Sequence, residues 1–199
     1  MSAEAAPSSL YARLERHSGS RGALAIAFLW GLAEATLFFI IPDVYLGFVA
    51  LFHWRRGLLA TLAALAGAMI GGVVLYALAS NGAAVNELLV RIPLISPEMV
   101  GRVAQQMQES GLVAMVNGPL EGVPYKIHAV QAGLQHLPFI PFLLMTIPAR
   151  LERTLPVALA GAVFGTVLKG FVKRHTVLVV GAYALLWLGV YVMYYLQMR

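Results

Sequence analysis

Residues 22–56 read GALAIAFLWGLAEATLFFIIPDVYLGFVALFHWRR, and this stretch decides the fold class. It is apolar for well over the about 20 residues that a helix needs to cross a bilayer. Glu34, Pro42 and Asp43 nevertheless interrupt it, and the part after Pro42 is too short for a full span at about 1.5 Å per residue. The pattern predicts a re-entrant hairpin over 23–54, whose half-helices enter and leave the membrane on one side. Two cramped full spans are the alternative.

The composition of the whole chain agrees with a membrane location. Its 199 residues are 60% hydrophobic and 12% charged, and the mean hydropathy is +0.78. These values are typical of integral membrane proteins. Because backbone groups in lipid must hydrogen-bond within the chain, long apolar runs predict helices. Cysteine is absent, which excludes disulfide and thiol chemistry. The sequence thus predicts an all-α integral membrane protein.

The remaining segments follow from apolar runs, helix caps and helix breaks. Ser96 is a favourable N-cap and Gly111 a favourable stop, so we expect an amphipathic surface helix between them. A second interrupted stretch is broken by Gly118, Pro119, Gly122 and Pro124, as Pro42 breaks the first. The predicted segments are an amphipathic N-terminal segment over 1–21, a span over 57–79, the amphipathic helix over 97–110, a second re-entrant hairpin over 111–134, a span over 138–168 and a C-terminal transmembrane helix over 176–197.

Positive charges set the expected orientation. With a cytoplasmic N-terminus the outer side receives only Arg91, Arg102 and Arg199, which is a strong positive-inside bias. Charges clustered near the ends of apolar segments are not typical of a nucleic-acid surface, so no nucleic-acid partner is expected. Tyr191 and Tyr194 fit an interfacial aromatic belt. The basic residues on the inner side are Arg13, Arg16, Arg21, Arg55, Arg56, Lys169, Lys173 and Arg174.

Both halves of the chain have the same order of features. In each half an interrupted apolar stretch with proline and an acid precedes a span, and the two stretches would enter from opposite sides. Transporters use inverted repeats with broken helices and place their site near the midplane, where the repeats meet. The sequence predicts an inverted repeat of two re-entrant helical hairpins, each followed by a transmembrane helix, plus the C-terminal transmembrane helix.

Charged residues at membrane depth are the candidates for the site. Each ionised side chain costs about 2.5–3.5 kcal/mol at a helix centre on insertion scales, so these groups should pair or face water. Thr146, Arg150 and Arg153 share one helix face at i, i+4 and i+7. With Lys126 nearby, the two arginines suit a phosphate group, which arginine binds through two parallel hydrogen bonds. The full charged set is Glu34, Asp43, Glu121, Lys126, Arg150, Glu152 and Arg153.

The acids of this set, Glu34, Asp43 and Glu121, are the candidates for proton coupling, because a carboxylate in a low-dielectric cavity can take up a proton. Glu121 could equally be a gate or a salt-bridge partner. Structural roles are the alternative for the others. Asp43 after Pro42 could be a helix N-cap. The structural pairs considered are Glu34 with Lys126 or Arg153, and Arg150 and Arg153 with Glu152 and Glu121.

Three blocks of the sequence together resemble the DedA family, also called the VTT or SNARE-associated membrane-protein family. They are similar to its acidic, proline-containing hairpin, its glycine-rich span with a tyrosine, and its second hairpin with the following span. The resemblance covers residues 22–165. The chain departs from the family pattern at 117–119, where a hairpin arginine is expected, and at Gly72, where an acid is expected. The blocks are EATLFFIIPDVYLGFVAL (34–51), GAMIGGVVLYALA (67–79) and GLVAMVNGPLEGVPYKIHAVQAGLQHLPFIPFLLMTI (111–147).

The resemblance implies a divergent, short member that transports lipids. The implied activity is flippase-like movement of a lipid or lipid phosphate, such as undecaprenyl phosphate or a phospholipid, across the bacterial inner membrane, coupled to protons. Glu34 and Asp43 match the family's essential acids. Lys126 lies near its second hairpin arginine, and Arg150 and Arg153 lie in the helix that follows. An energy-independent scramblase and a non-transporting assembly factor are the alternatives.

Enzyme chemistry is not expected. The sequence has no nucleophile–base constellation and no His-Glu-x-x-His zinc signature. His128 and His136 lack a second ligand at a metal-binding spacing. No cofactor and no metal are therefore predicted. The expected partners are membrane lipids or lipid phosphates and protons, and a homo-oligomer is an open alternative to a monomer.

Overall fold

The computed structural model describes residues 9–118 and 122–197. The chain is all-helical, as predicted, with 84% in helix and no strand in these ranges. A 3₁₀ turn, Gly111–Val113, lies between the helices Pro97–Ser110 and Ala114–Asn117. The helices are α1 (Ser9–Ser18), α2 (Arg21–Thr36), α3 (Asp43–Phe52), α4 (Trp54–Ser80), α5 (Val85–Leu89), α6 (Pro97–Ser110), α7 (Ala114–Asn117), α8 (Tyr125–Leu134), α9 (Phe139–Val167), α10 (Lys169–Arg174) and α11 (Thr176–Gln197).

Two helices are long and apolar enough to cross a membrane. α4 has 27 residues with a mean hydropathy of 2.3, and Thr176–Leu196 of α11 has 21 residues with a mean hydropathy of 2.0. They differ in their surroundings, because 44% of the apolar window of α4 is buried inside the protein but only 11% of that of α11. A helix whose leucines and valines are largely exposed suits lipid better than water. The two helices support a membrane protein.

The chain leaves the helical conformation inside the stretch over 22–56. α2 begins after Ser20, whose hydroxyl accepts a hydrogen bond from the Ala23 amide at 3.1 Å, and it ends at Thr36. α3 begins at Asp43, directly after Pro42, because proline has no N–H for a helix interior. The two helices have 16 and 10 residues. Their lengths of about 24 and 15 Å fall short of the about 30 Å hydrocarbon core of a bilayer.

α4 is the central helix and packs against α2, α3, α8 and α9. α2 crosses it so closely that a Cβ added at Gly67 would overlap the carbonyl oxygen of Phe28. Small residues allow such close approach between helices in membranes. The small-residue face of 57–79 thus serves packing. The small residues buried along α4 are Gly57, Ala60, Thr61, Ala64, Gly67, Ala68, Gly71, Gly72 and Ala79.

The second half of the core contains a surface helix and a buried one. α6 occupies the residues predicted to form an amphipathic helix. The hydroxyl of its N-cap Ser96 accepts from the Met99 amide at 3.2 Å, and Gly111 ends it with a φ of 60°. α6 packs on α8, in which every residue from 125 to 133 is buried. The ten-residue α8 therefore lies in the protein interior.

α9 is a long helix with two prolines in its interior. α9 runs for 29 residues although Pro148 and Pro156 lie inside it. Each of these prolines removes one backbone hydrogen bond of the helix. α9 packs against α3, α4 and α7. The charged residues between the two prolines are Arg150, Glu152 and Arg153.

α1 is the described part of the predicted N-terminal segment, since residues 1–8 lie outside the described ranges. The Tyr11 ring packs against Phe52 of α3 with 5.8 Å between ring centroids. Its hydroxyl donates to Glu15 at 3.3 Å. Burial, with a smaller contribution from the Glu15 charge, raises the pKa of Tyr11 to about 12. Tyr11 therefore stays protonated and keeps its donor role at physiological pH.

Gly67→Ala should destabilise the fold, because the new methyl group overlaps a backbone carbonyl of α2 that no side-chain rotation can move. We expect a loss of about 1–3 kcal/mol in the free energy of unfolding, measured as a lowered Tm of the purified protein in detergent. Gly181→Ala in α11 is the matched control, since nothing lies within 4 Å of its added Cβ. Equal Tm values for the two variants would contradict the close α2–α4 packing.

Candidate functional site

The two arginines that share a face of α9 are each paired with an acid of the first interrupted stretch. Arg150 Nη2 donates a hydrogen bond to Glu34 Oε2 of α2. Arg153 Nε lies 3.0 Å from Asp43 Oδ2 at the start of α3. Their i, i+3 spacing places the arginines on one face of α9. α9 is therefore tied by ion pairs to the helices on both sides of the break.

The two pairs differ in burial. Glu34 is 3%, Asp43 0% and Arg150 5% exposed, whereas the Arg153 side chain is 28% exposed. A charge in the protein interior is costly unless an opposite charge lies beside it, so the buried Arg150 depends on Glu34. Glu34 forms its ion pair with Arg150 and not with Lys126 or Arg153. The suggested pairs with Glu121 stay predictions, because that residue lies outside the described ranges. Asp43 makes an ion pair and no helix-cap hydrogen bond.

Lys126 of α8 contacts the break in the first stretch. Its Nζ donates to the carbonyl oxygen of Phe38 at 2.8 Å, and the residue is 1% exposed. Pro42, four residues after Phe38, has no N–H to offer that carbonyl. Lys126 is in neither of the two ion pairs found within 9–118 and 122–197, and the opposite charge that acts on it is that of Glu34. A buried cation of the second interrupted stretch therefore supplies a hydrogen bond that the backbone of the first stretch lacks.

Three tyrosine hydroxyls of α11 hydrogen-bond the backbone near the helix breaks. Lipid offers no partner to a free N–H or carbonyl, so a broken helix inside a membrane protein needs such bonds. The interfacial-belt interpretation of Tyr191 and Tyr194 was therefore incomplete, since both hydroxyls face inward. The bonds run from the Ile41 amide to the Tyr191 hydroxyl (3.1 Å), from the Tyr183 hydroxyl to the Val44 carbonyl (2.8 Å) and from the Tyr194 hydroxyl to the Gly122 carbonyl (2.7 Å).

The two interrupted stretches meet at a cavity of about 200 Å³. Its walls come from residues of both breaks, from the loop over 92–95 and from α11. Leu94 in that loop has a φ of 69°, which is unusual for a leucine. Among the residues that the structure describes, two cations and one anion line the cavity, and this balance favours an anionic group. These charged residues are Glu34, Lys126 and Arg153.

Tyr125 belongs to the site although the sequence analysis did not single it out. Its hydroxyl shares a hydrogen bond with the Thr146 hydroxyl at 2.9 Å, and the Arg150 guanidinium lies 5.3 Å from its ring centroid. The ring fits only because Gly72 has no Cβ, which would overlap the Tyr125 hydroxyl. Tyr125 thus positions Arg150. The sequence feature that could have indicated a role for Tyr125 is its position next to Lys126.

The other predicted residues mark the second break. Gly118 follows α7, and Pro124 directly precedes α8. Gly122 has a φ of 77°, a backbone conformation that favours glycine. Pro119 and Glu121 lie outside the described residues. The structure therefore brings together Lys126 and the two ion pairs.

Comparison with known proteins assigns no family to the chain. No family model, curated protein or solved structure matches the chain. Among the described residues, no group of three or more histidine, aspartate or glutamate side chains is placed to hold a metal ion. The functional interpretation therefore rests on the sequence resemblance and on the geometry of the charged centre.

Glu34→Gln should destabilise the protein more than the double replacement Glu34→Leu with Arg150→Met. The single change leaves Arg150 buried without an opposite charge, which costs about 3–5 kcal/mol, whereas an apolar pair of similar volume is often nearly neutral. The measurement is the free energy of unfolding in detergent, from denaturant titration. Glu87→Gln, at an exposed position of α5, is the control. A double variant as unstable as the sum of its single changes would show that the two side chains do not interact.

Proposed function

We propose that this chain is a flippase-like transporter of the bacterial inner membrane, and a divergent member of the DedA family. It moves a lipid or lipid phosphate across the membrane together with protons. The observation that carries the proposal is the cavity between the two helix breaks, which is lined by Lys126, Arg153 and Glu34. Ionisable residues at membrane depth are expensive, and their usual justification is a substrate or ion pathway.

The geometry supports an anionic head group in this cavity. Arg153 is the more exposed arginine, so a phosphate can reach its guanidinium without unfolding the site. Lys126 supplies a second cation as a point charge, and arginine supplies a fork of N–H donors that matches phosphate oxygens. The neutral lining around these charges, from both breaks and α11, keeps them in a low-dielectric environment where the attraction is strong.

The ion pairs suggest how proton and substrate are coupled. A phosphate that binds Arg153 competes with Asp43 for the same guanidinium. The displaced carboxylate then lies buried without a cation, and taking up a proton neutralises it. Binding of the anion and of the proton therefore favour each other, which is the reciprocal coupling that a proton-driven carrier needs. Arg150, the partner of Glu34, is buried and does not line the cavity, so this competition applies to Arg153 and Asp43.

A second candidate function is an energy-independent scramblase. It is favoured by one observation: both acids are held by arginines, as expected if they serve only to hold α2, α3 and α9 together. In that case lipid would move along the protein without proton transfer, and the carboxylates would have no transport role.

Lipid transport in proteoliposomes distinguishes the two candidates. A fluorescent phospholipid and a polyprenyl phosphate are tested in parallel, with and without an imposed pH gradient. We expect transport by the unmodified protein to follow the gradient. Lys126→Met and Arg153→Gln should each lower the rate by about tenfold or more, because a hydrogen bond to a charged group contributes about 1.5–3 kcal/mol.

Arg102→Gln is the matched control, because this arginine lies exposed on α6, away from the cavity. The variants are compared only where gel filtration shows an intact protein. Movement of lipid that ignores both the gradient and the substitutions would support the scramblase. Absence of lipid movement for both substrates in the unmodified protein would contradict both candidates.

A further inference from the structure

A second, larger cavity lies between α9 and α11. It is an apolar groove of about 520 Å³ with its floor at α3. Apart from the hydroxyl of Tyr183 and the indole of Trp187, its lining is aliphatic or phenyl surface. The lining residues that matter below are Val157, Ala160, Phe164, Ala182, Leu186 and Val190.

The groove and the charged cavity are adjacent, because the same faces of two helices line both, and we call the two together the slot. On α9, Arg153 lines the charged cavity, and Val157, Ala160 and Phe164 follow it along the groove at i+4, i+7 and i+11. This stripe is about 16 Å long at the rise of a helix. The slot therefore has a basic end and a long apolar length.

α11 forms the opposite wall in the same way. Tyr191 and Tyr194 line the charged cavity, while Leu186 and Ala182 line the groove. Val190 belongs to both, so the two spaces meet at this residue. α11 is mostly exposed along its length, so the groove that it walls lies close to the surface of the protein.

We propose that the groove between α9 and α11 holds the hydrocarbon chain of the amphiphile whose anionic head lies at Lys126 and Arg153. The inference rests on the proposed function, and it adds where the tail lies and that the ligand enters sideways from the membrane. The head cavity is less than half the volume of the groove. It therefore has room for a phosphate group, and the chain needs the apolar space that begins at Val190.

The shape of the slot favours a hydrocarbon chain over a second copy of the protein. A helix of another subunit would cover the outer surface of α11, but it could not follow the slot into a cavity lined by charges. An alkyl chain attached to a phosphate is complementary to both parts at once, with apolar surface against the groove and negative charge against Lys126 and Arg153.

The test compares two probes with one head and different tails, butyl phosphate and hexadecyl phosphate. Binding to the full chain in zwitterionic nanodiscs is measured by calorimetry. Ala182→Trp narrows the groove, and Ala184→Trp is the matched control, because Ala184 is exposed on α11 outside the groove. We expect Ala182→Trp to weaken hexadecyl phosphate by roughly tenfold, since several methylenes lose buried surface, and to leave butyl phosphate unchanged.

Two further variants distinguish a failure of the groove assignment from a failure of the head site. Ala160→Trp narrows the same groove from α9 and should repeat the chain-length effect. Lys126→Met should weaken both probes, because it removes charge from the head cavity. If both probes bind the unmodified protein and both tryptophan variants leave hexadecyl phosphate unaffected, the groove assignment is wrong while the head site stands. If neither probe binds the unmodified protein, the proposed function fails and the inference with it.

The alternative occupant of the groove is a second copy of the protein. Measuring the mass of the assembly in the nanodisc or in detergent tests this alternative. We expect Ala182→Trp to leave the oligomeric state unchanged. A shift of the mass to a smaller assembly, with hexadecyl phosphate binding intact, would show that the groove is an interface between two copies and would overturn the proposal.

Discussion

A buried guanidinium group is costly unless a carboxylate lies beside it, and α9 carries the buried Arg150 and the partly buried Arg153 within one turn. The acids come from the end of α2 and the start of α3, on either side of a broken helix. This constraint orients three helices at once, since moving any of them would leave a charge unpaired in the interior. It also explains why the first interrupted stretch tolerates a break at that depth. Helices α2 and α3 are held by charge where they lack a continuous backbone ladder.

The breaks themselves depend on partners that are distant in sequence. Pro42 removes the donor that a continuous helix would offer to the Phe38 carbonyl, and Lys126 takes that place. The tyrosines of α11 supply the remaining hydroxyls, to Ile41 and Val44 in one stretch and to Gly122 in the other. The C-terminal helix α11 thus does more than meet the length and apolarity of a membrane span. It closes the cavity and satisfies the backbone of both interrupted stretches.

The sequence could predict features that depend on local periodicity and caps. Ser96 and Gly111 marked the ends of α6, and the i, i+3 spacing placed Arg150 and Arg153 on one face. It could not predict the partners of these arginines, because the pairing depends on the rotation of α2 relative to a helix 116 positions away. The role of Tyr125 could not be predicted for the same reason. Its ring fits only because Gly72, on a distant helix, has no Cβ. The inverted repeat and the re-entrant path are not established by helix positions and remain predictions.

The prolines of α9 give the charged centre a mechanical property. Pro148 and Pro156 lie on either side of the arginines, and each leaves a gap in the hydrogen-bond ladder of the helix. A helix bends at least cost where its ladder has gaps. The segment that carries Arg150 and Arg153 therefore lies between the two points at which α9 bends at least cost. Bending at either point would shift both guanidinium groups together relative to α2 and α3, and would loosen or restore both ion pairs in concert.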